Sequence, residues 1–482
     1  MASIDTGDTR PIHFVGIAGA GMRALAELLA RRGIRVTGCD ANPGWTEDLK
    51  ALGIMVSTGH SAEHVEGARE LIVTSAMPRS HPELVRAREL GIPVTRRAEA
   101  LGRAVADGKV VGIAGTHGKT TTTVMTTAAL AAAGLRPTGI AGGRVGEWNG
   151  NLSYASDELF VVEADEYDRS FLTLSPTVAV VTNMEADHLD IYRDLDDIKA
   201  TFSDFVRNAA AIVLCDDDAG ARSIGLPASA EIIRYSLQRD GSTSRNAASR
   251  DARLVARGVR SDGHITTFAV SYDDDPLGDV TLRVPGHHNV QNALAAIAVG
   301  LSLGVKLDAM RPGLLKFGGV DRRFQHLYDV GGVTIVDDYA HHPTEIAATL
   351  QAARSSYPGR RIVAAFQPHL FSRTRDFCDA FGQALANADS VFLAEIYPAR
   401  EQPIPGITSK LVASAMGRAG RPPAWQGTRS DLAAALSVRT IARERDNTIS
   451  SLPARLTSSI RLNTPGSLAR IAPTSLRRTG SR

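Results

Sequence analysis

One hexapeptide constrains this chain more than anything else in it: Gly115-Thr116-His117-Gly118-Lys119-Thr120, set between the apolar run VVGIAG and the helical run TTTTVMTTAALAAAG. A strand that feeds a helix through a glycine-rich turn belongs to a layered α/β fold, because the chain must leave the sheet at a strand end and pack back on its face. Backbone N–H groups of such a turn and the helix N-terminus converge on one point, which suits a polyphosphate. Lys119 would reach the β and γ phosphates, and Thr120 would offer its hydroxyl to Mg2+. Ile113 stands where the longer phosphate-loop pattern has its leading glycine, so the motif is a shortened G-x-x-G-K-T.

The same rhythm recurs on both sides. HFVGIAG, the helix AGMRALAELLARRG, IRVTGCD, ELIVTSA and IPVTRR alternate as in a Rossmann-like domain, which we place at residues 1–108. Its turn Gly16-Ile17-Ala18-Gly19-Ala20-Gly21, leading into Met22, resembles a dinucleotide fingerprint with Ala18 in the second glycine position. Asp40 ends the next strand, where ribose hydroxyls are read. Such a turn indicates a diphosphate on a helix N-terminus and does not separate NAD from a nucleotide sugar. A central phosphate-loop ATPase domain, 109–326, carries the hexapeptide and the strands LFVVEAD and TVAVVTN. The first of these ends in Glu163, Asp165 and Glu166, where a magnesium carboxylate belongs. The second runs into Met184–Asp190, which contains His188. Gln238–Ser261, rich in Ser, Arg and Asn, reads as an exposed loop or strand edge.

A third, C-terminal Rossmann-like α/β domain with an atypical end is expected at 327–436. GGVTIVDDYAHHPTEIAATLQAARSSY gives a strand, a loop with Tyr339, His341 and His342, and a helix opened by Pro343. Gln367-Pro368-His369, followed by Arg373 and Arg375, also falls after a strand, where ligands of α/β sheets gather. Residues 437–482 differ in kind: nine Arg, no Lys, eight Ser, six Thr and two acids without apolar period. They read as a disordered basic tail.

Composition removes other classes. Lys and Arg total 54 against 52 Asp and Glu, a net charge of +2, so nothing demands nucleic acid or an anionic membrane. No run approaches the ~20 apolar residues of a membrane span, and no secretory leader is visible. Cys39, Cys215 and Cys378 have no metal-like spacing, which argues against a zinc site and for a reducing compartment, hence the cytoplasm.

Taken together, GIAGAGM, GTHGKTTTT, EADEYDRSFL, TNMEADHLD, GHHNVQNALAA, FGGVDRRF, DDYAHHPTE, FQPHLFSRTRDF and REQPIPGITSKL resemble the Mur ligases, the ATP-dependent amide-bond ligases of peptidoglycan synthesis, over about Ile12 to Leu436. Within that family the likeness is to the branch that joins L-alanine to UDP-N-acetylmuramate through an acyl phosphate. The resemblance implies ATP on Gly115, Thr116, His117, Gly118, Lys119, Thr120 and Thr121, with Asn289 and Asn292 near the adenine and Arg323 near the phosphates. It implies Mg2+ on Thr120, Glu163 and His188, and UDP-sugar on Gly16, Ala18, Gly19, Ala20, Gly21, Met22 and Asp40. Tyr339, His341, His342, His369 and Arg373 would line the place where nucleotide and L-alanine meet, the histidines being candidate bases. Leu370 stands where the family often has Arg, and nothing after Ser437 matches the family's closing strand and helix. The alternatives are a ligase that adds a recycled murein tripeptide to the same sugar, an NAD-dependent oxidoreductase, and an inactive homologue with an altered end.

Overall fold

The computed structural model describes residues 7–44, 46–75, 77–238, 251–330, 332–399 and 401–444, with the two-residue stretches 460–461 and 470–471. The chain divides into two compact units, Met1–Asp321 and Arg322–Arg482.

The first unit opens with a five-stranded parallel sheet of β1 (Ile12–Val15), β2 (Val36–Asp40), β3 (Met55–Thr58), β4 (Glu70–Val73) and β5 (Val94–Arg96), ordered β3-β2-β1-β4-β5. Helices α1 (Ala20–Arg31), α2 (Glu47–Ala51) and α3 (Pro82–Glu89) lie between them in the chain, and α4 (Arg97–Val105) follows β5. Every residue of β1 is buried, as expected of a central parallel strand covered on both faces. The strand order reverses at β1, so the turn that leaves β1 sits where such sheets take their ligands.

A ten-stranded sheet follows: β6 (Lys109–Ala114), β7 (Thr138–Val145), β8 (Gly150–Ser153), β9 (Leu159–Glu163), β10 (Val178–Val181), β11 (Ala211–Cys215), β12 (Glu231–Leu237), β13 (Leu254–Asp262), β14 (Ile265–Tyr272) and β15 (Asp275–Leu282). Its order is β15-β14-β13-β12-β11-β10-β6-β9-β7-β8. From β13 to β7 in that order neighbouring strands pair parallel, while β14 and β15 at one end and β8 at the other are joined antiparallel. Helices α5 (Lys119–Ala132), α6 (Leu195–Val206), α7 (Ala219–Arg222), α8 (His287–Ser302) and α9 (Leu307–Lys316) cover it, with α5 against α8 and α9. Ile113 on β6 is opposite Glu163 on β9, and Ala114 is opposite Val181 on β10. The turns after these three adjacent strands therefore emerge side by side.

Leu25, Leu28 and Leu29 of α1 and Leu101 of α4 share one buried cluster with Phe160, Phe171 and Phe205 from the second sheet's layer. The two sheets are thus one packed body. Of the Ser- and Arg-rich stretch, 239–250 lies outside the described residues, while 254–262 forms β13, paired on both sides.

The second unit has an antiparallel hairpin, β16 (Gln325–Val330) and β17 (Val333–Asp337), then a parallel sheet ordered β18 (Val363–Phe366), β19 (Ser390–Ala394), β20 (Trp425–Gly427). Its helices are α10 (Pro343–Ser356), α11 (Phe371–Leu385), α12 (Lys410–Arg418) and α13 (Arg429–Glu444). Alternation along the strands divides the core. Phe366, Val391 and Leu393 meet Leu350, Phe381 and Met416 from the first three helices, while Ala365, Phe392 and Ala394 meet Leu432 of α13. α13 continues through position 437 to Glu444. Beyond it only β21 (Ile460–Arg461) and β22 (Arg470–Ile471), an antiparallel pair, are described, so the expectation of a disordered tail falls otherwise outside the described residues. Among the described residues no helix is long and apolar enough to cross a membrane.

Candidate active site

The turn after β6 is held open by its own backbone. Gly115 has φ +141° and Gly118, the residue before α5, has φ +81°. A Cβ on Gly115 would lie 2.1 Å from Thr182 Oγ1, and one on Gly118 would lie 2.6 Å from Asn292 Oδ1, so both positions require glycine. The segment after β10 braces the turn from below. His117 N donates to Asn183 Oδ1 at 2.7 Å and Thr116 N to the Asn183 carbonyl at 3.1 Å, while Thr182 Oγ1 and Asn183 Nδ2 donate to the His117 carbonyl at 2.7 and 3.0 Å. Glu185 N donates to Thr116 Oγ1 at 2.9 Å. This leaves the α5 N-terminus as an anion cradle with fixed geometry.

An acidic wall faces the cradle. Lys119 Nζ donates to the Gly115 carbonyl at 2.7 Å and to both oxygens of Glu166, at 3.0 and 2.7 Å. Thr120 Oγ1 donates to Glu163 Oε1 at 3.0 Å, and Gly142 N to the other Glu163 oxygen at 2.5 Å. Burial pushes the Glu166 carboxyl up to about 7 against the pull of Lys119, and burial also raises Glu163. Burial works against the Lys119 ammonium too, but Glu166, then Asp165 and Glu163, hold its pKa above the ordinary value. Three carboxyl groups stand around one lysine, and the oxygen donors Thr120, Glu163 and Glu166 are of the hard type that suits Mg2+.

His188, at φ +53°, turns its Nε2 towards Glu166 Oε1 at 3.9 Å and Asp187 Oδ2 at 3.8 Å, with the Tyr167 ring 5.1 Å away. It stands beside Glu166, whereas Thr120 stands beside Glu163. Glu166 is thus a site residue that the sequence shows only as one of an acidic run, and Asn183 is a site residue outside the sequence expectations. The signal for Asn183 was the Thr-Asn pair at the end of β10, adjacent in the sheet to β6.

Thr121 is buried in the first turn of α5. Asn292 accepts from Thr122 Oγ1 at 3.1 Å and donates to Asn289 Oδ1 at 3.3 Å, and Asn289 donates to the Pro285 carbonyl at 2.7 Å. Both asparagines are buried, and Asn292 lies directly against Gly118. In the first sheet, Gly16 (φ +81°) and Ile17 donate their N–H groups to the Cys39 carbonyl at 2.8 and 3.0 Å. Ala18 N donates to Asp40 Oδ2 at 3.1 Å and Asn42 N to Asp40 Oδ1 at 2.9 Å, so Asp40 ties the turn to the end of β2. Gly19 precedes α1, whose first turn holds Ala20, Gly21 and Met22.

The second unit gathers its own set. His341 Nδ1 is 2.9 Å from the Tyr339 carbonyl, and its ring lies 4.9 Å from that of Tyr339 and 6.2 Å from that of His369. Glu345, in the first turn of α10, takes the backbone N–H of His341 at 2.9 Å and of His342 at 3.3 Å and pairs with Arg323 at 3.3 Å. His342 caps α10 and packs its ring 5.0 Å from Phe377. The Arg322 guanidinium lies 4.4 Å from the centre of the Tyr339 ring, with that of Arg323 at 5.7 Å. Arg373 is buried on α11. Leu370 opens that helix at φ +70°, buried, with its N–H on the Tyr397 carbonyl at 3.0 Å. Burial lowers the His341 imidazole below its ordinary range, although Glu345 pulls the other way.

Three family models match in sequence: the Mur ligase catalytic domain over residues 11–109, the Mur ligase middle domain over 113–300, and the Mur ligase glutamate ligase domain over 322–450. A UDP-N-acetylmuramate–L-alanine ligase of Salinibacter ruber is 44% identical over 412 residues, which is 84% of each chain. A solved UDP-N-acetylmuramate–alanine ligase of Thermotoga maritima matches with a TM-score of 0.71 and 27% identity, covering 91% of this chain and all of that one. A murein peptide ligase of Psychrobacter arcticus, at 24% identity and a TM-score of 0.64 over 92% of this chain and all of that one, shares the fold. The chain belongs to the Mur ligase family of ATP-dependent ligases.

Proposed function

We propose that this protein joins L-alanine to the lactyl carboxylate of UDP-N-acetylmuramate, with ATP converted to ADP and phosphate. The supporting observation is the braced turn at 115–118 with Lys119 and Thr120 drawn onto Glu166 and Glu163, in a chain 44% identical to a relative named for that reaction. The first sheet's turn, Gly16 to Met22, takes the diphosphate of the UDP-sugar. Residues 115–121 take the polyphosphate of ATP, and Asn292 keeps Gly118 in place under it.

The substrate carboxylate attacks the γ-phosphorus, the bond to ADP breaks, and an acyl phosphate forms. The alanine amine then attacks the acyl carbon, phosphate leaves, and the amine gives up its proton. Lys119 exchanges Glu166 for the phosphate oxygens and spreads the charge that develops there. Thr120, Glu163 and His188 would hold Mg2+, with Glu166 beside His188, and the ion would neutralise phosphate charge. Glu345 fixes His341, and Arg323 and Arg373 supply positive charge to the second unit's set. The rival is tripeptide addition. Incubation with ATP, UDP-N-acetylmuramate and either L-alanine or the tripeptide, with the products weighed, is expected to give only the alanine adduct with stoichiometric ADP. A tripeptide adduct alone, or no adduct, overturns the reading.

His341 is the base best prepared to take the amine proton, because burial keeps it neutral at neutral pH. Its lowered pKa places the acid limb of kcat/KM below about pH 6.5, the ordinary imidazole value. Activity should fall as pH drops through that limb, and His341→Ala should remove it along with most of the rate. An acid limb that persists in place in His341→Ala assigns the proton to another group.

A further inference from the structure

The turn of the first sheet rests on a cluster that the proposed reaction does not use. His13 on β1, Cys39 on β2, His64 in the 3-10 turn Ala62–Val65 and Glu83 in the first turn of α3 each bring one ligand atom to within 4.8 Å of all the others. His60 and His81 form a second group with the same Glu83. Cys39 and Glu83 are fully buried and His13 is 2% exposed. Cys39 Sγ donates to Glu83 at 3.0 and 3.2 Å, and His64 Nδ1 lies 2.9 Å from Glu83 Oε1. Two features distinguish this from an ordinary polar core. Among the described residues no lysine or arginine pairs with the buried Glu83, whose ion-pair partners are His60, His64 and His81. His13 uses Nδ1 on Thr37 Oγ1 at 2.9 Å and leaves Nε2 buried without a hydrogen-bond partner. A buried ring nitrogen without a partner is costly.

We propose that the first domain holds a transition-metal ion of the Zn2+ type on His13, Cys39, His64 and Glu83, flanked by His60 and His81. The donor set decides the class: one sulfur, two imidazole nitrogens and one carboxylate oxygen suit Zn2+ and disfavour Mg2+ or Ca2+, which take oxygen. On binding, the Cys39 S–H proton leaves to solvent and a metal–sulfur bond replaces the bond to Glu83. Thiolate and carboxylate together then balance a divalent charge, so the buried site becomes neutral. His60 and His64 keep about a quarter of their side-chain surface, 24% and 22%, which gives the ion a way in. The ion would clip β1, β2, the 3-10 turn and α3 together beneath the turn that starts at Gly16, whose N–H bonds the Cys39 carbonyl. Cysteine spacing alone argued against zinc. The ligands instead come from four elements that only the folded sheet brings together.

The test uses the full chain, stripped with chelator and reloaded with Zn2+ in excess Mg2+, so that the oxygen-lined phosphate site is competed. One Zn2+ per chain is expected, with affinity falling at least about a hundredfold in Cys39→Ser and in His64→Ala. Loading with Co2+ instead should give the absorption of a tetrahedral thiolate complex, absent in Cys39→Ser. His64 is partly exposed, so His64→Ala reads the site even where Cys39→Ser fails to fold. No stoichiometric Zn2+, unchanged affinity in His64→Ala, or a Co2+ spectrum without the thiolate band each overturns the proposal.

Discussion

Lys119→Ala is expected to abolish ligation, lowering kcat by about a thousandfold or more, while UDP-sugar affinity changes by less than about tenfold, or ~1.4 kcal/mol. The catalytic loss follows from geometry. Lys119 is the one ammonium in the turn after β6, and its Nζ already sits within 3 Å of the Gly115 carbonyl that lines the anion cradle. Charge-assisted contacts to a phosphoryl group in transfer are the largest contribution a site of this kind makes. The turn proposed for the UDP-sugar belongs to a different sheet, at β1, which is why affinity there should hold. Removing one partner of a buried ion pair commonly costs about 3–5 kcal/mol of stability. Here the cost should be smaller, because Glu166, already pushed up to about 7 by burial, can take a proton. Lys119→Ala/Glu166→Gln separates the two effects: it should melt above Lys119→Ala and remain inactive. Calorimetry with UDP-N-acetylmuramate, thermal melting and ADP release check the three parts. Recovery of activity in the double variant would show that Lys119 serves only to neutralise Glu166.

The strand-to-helix turns were legible because their signal is local. An apolar run, glycines and a helical period lie within some 25 residues at both Gly16 and Gly115, and apolar runs alone mark the strands that lead to Glu163 and His188. What faces those turns was not legible. Glu163, Asp165 and Glu166 lie within four residues, and only the turn after β9 decides that Glu166 reaches Lys119 while Glu163 reaches Thr120. The Thr-Asn pair after β10 looked like a strand end, since its role depends on β10 lying beside β6, a pairing made across 65 residues or more. Glu345 is a different case. His342-x-x-Glu345 has the spacing of a capping box, so its signal is local and present in the sequence. The strand β13 was hidden because its outer half is exposed and polar, so neither apolar alternation nor a turn signal marks it.

Gly115→Ala should also be strongly damaging, and for a reason of shape alone. The new methyl would sit 2.1 Å from Thr182 Oγ1 and 3.1 Å from both the nitrogen and the oxygen of the Asn183 backbone, at a φ of +141° that L-residues rarely adopt. Thr182 cannot give way without losing its bond to the His117 carbonyl, and movement of Asn183 breaks the three bonds that fix Thr116 and His117. The variant should lose at least about 2 kcal/mol of stability and, because the N–H groups of the cradle would no longer converge, at least about a hundredfold in kcat. Gly19→Ala is the control that isolates the cause. Gly19 also precedes a helix at the end of a parallel strand, but its φ is −62° and its nearest neighbour would be the Gly16 carbonyl at 3.5 Å, an ordinary contact. It should fold as well as the parent. Gly115→Ala/Thr182→Ala relieves the clash and leaves the backbone strain, so it should recover part of the stability. Full recovery would mean that the clash carries the whole effect, and none would place it in the dihedral.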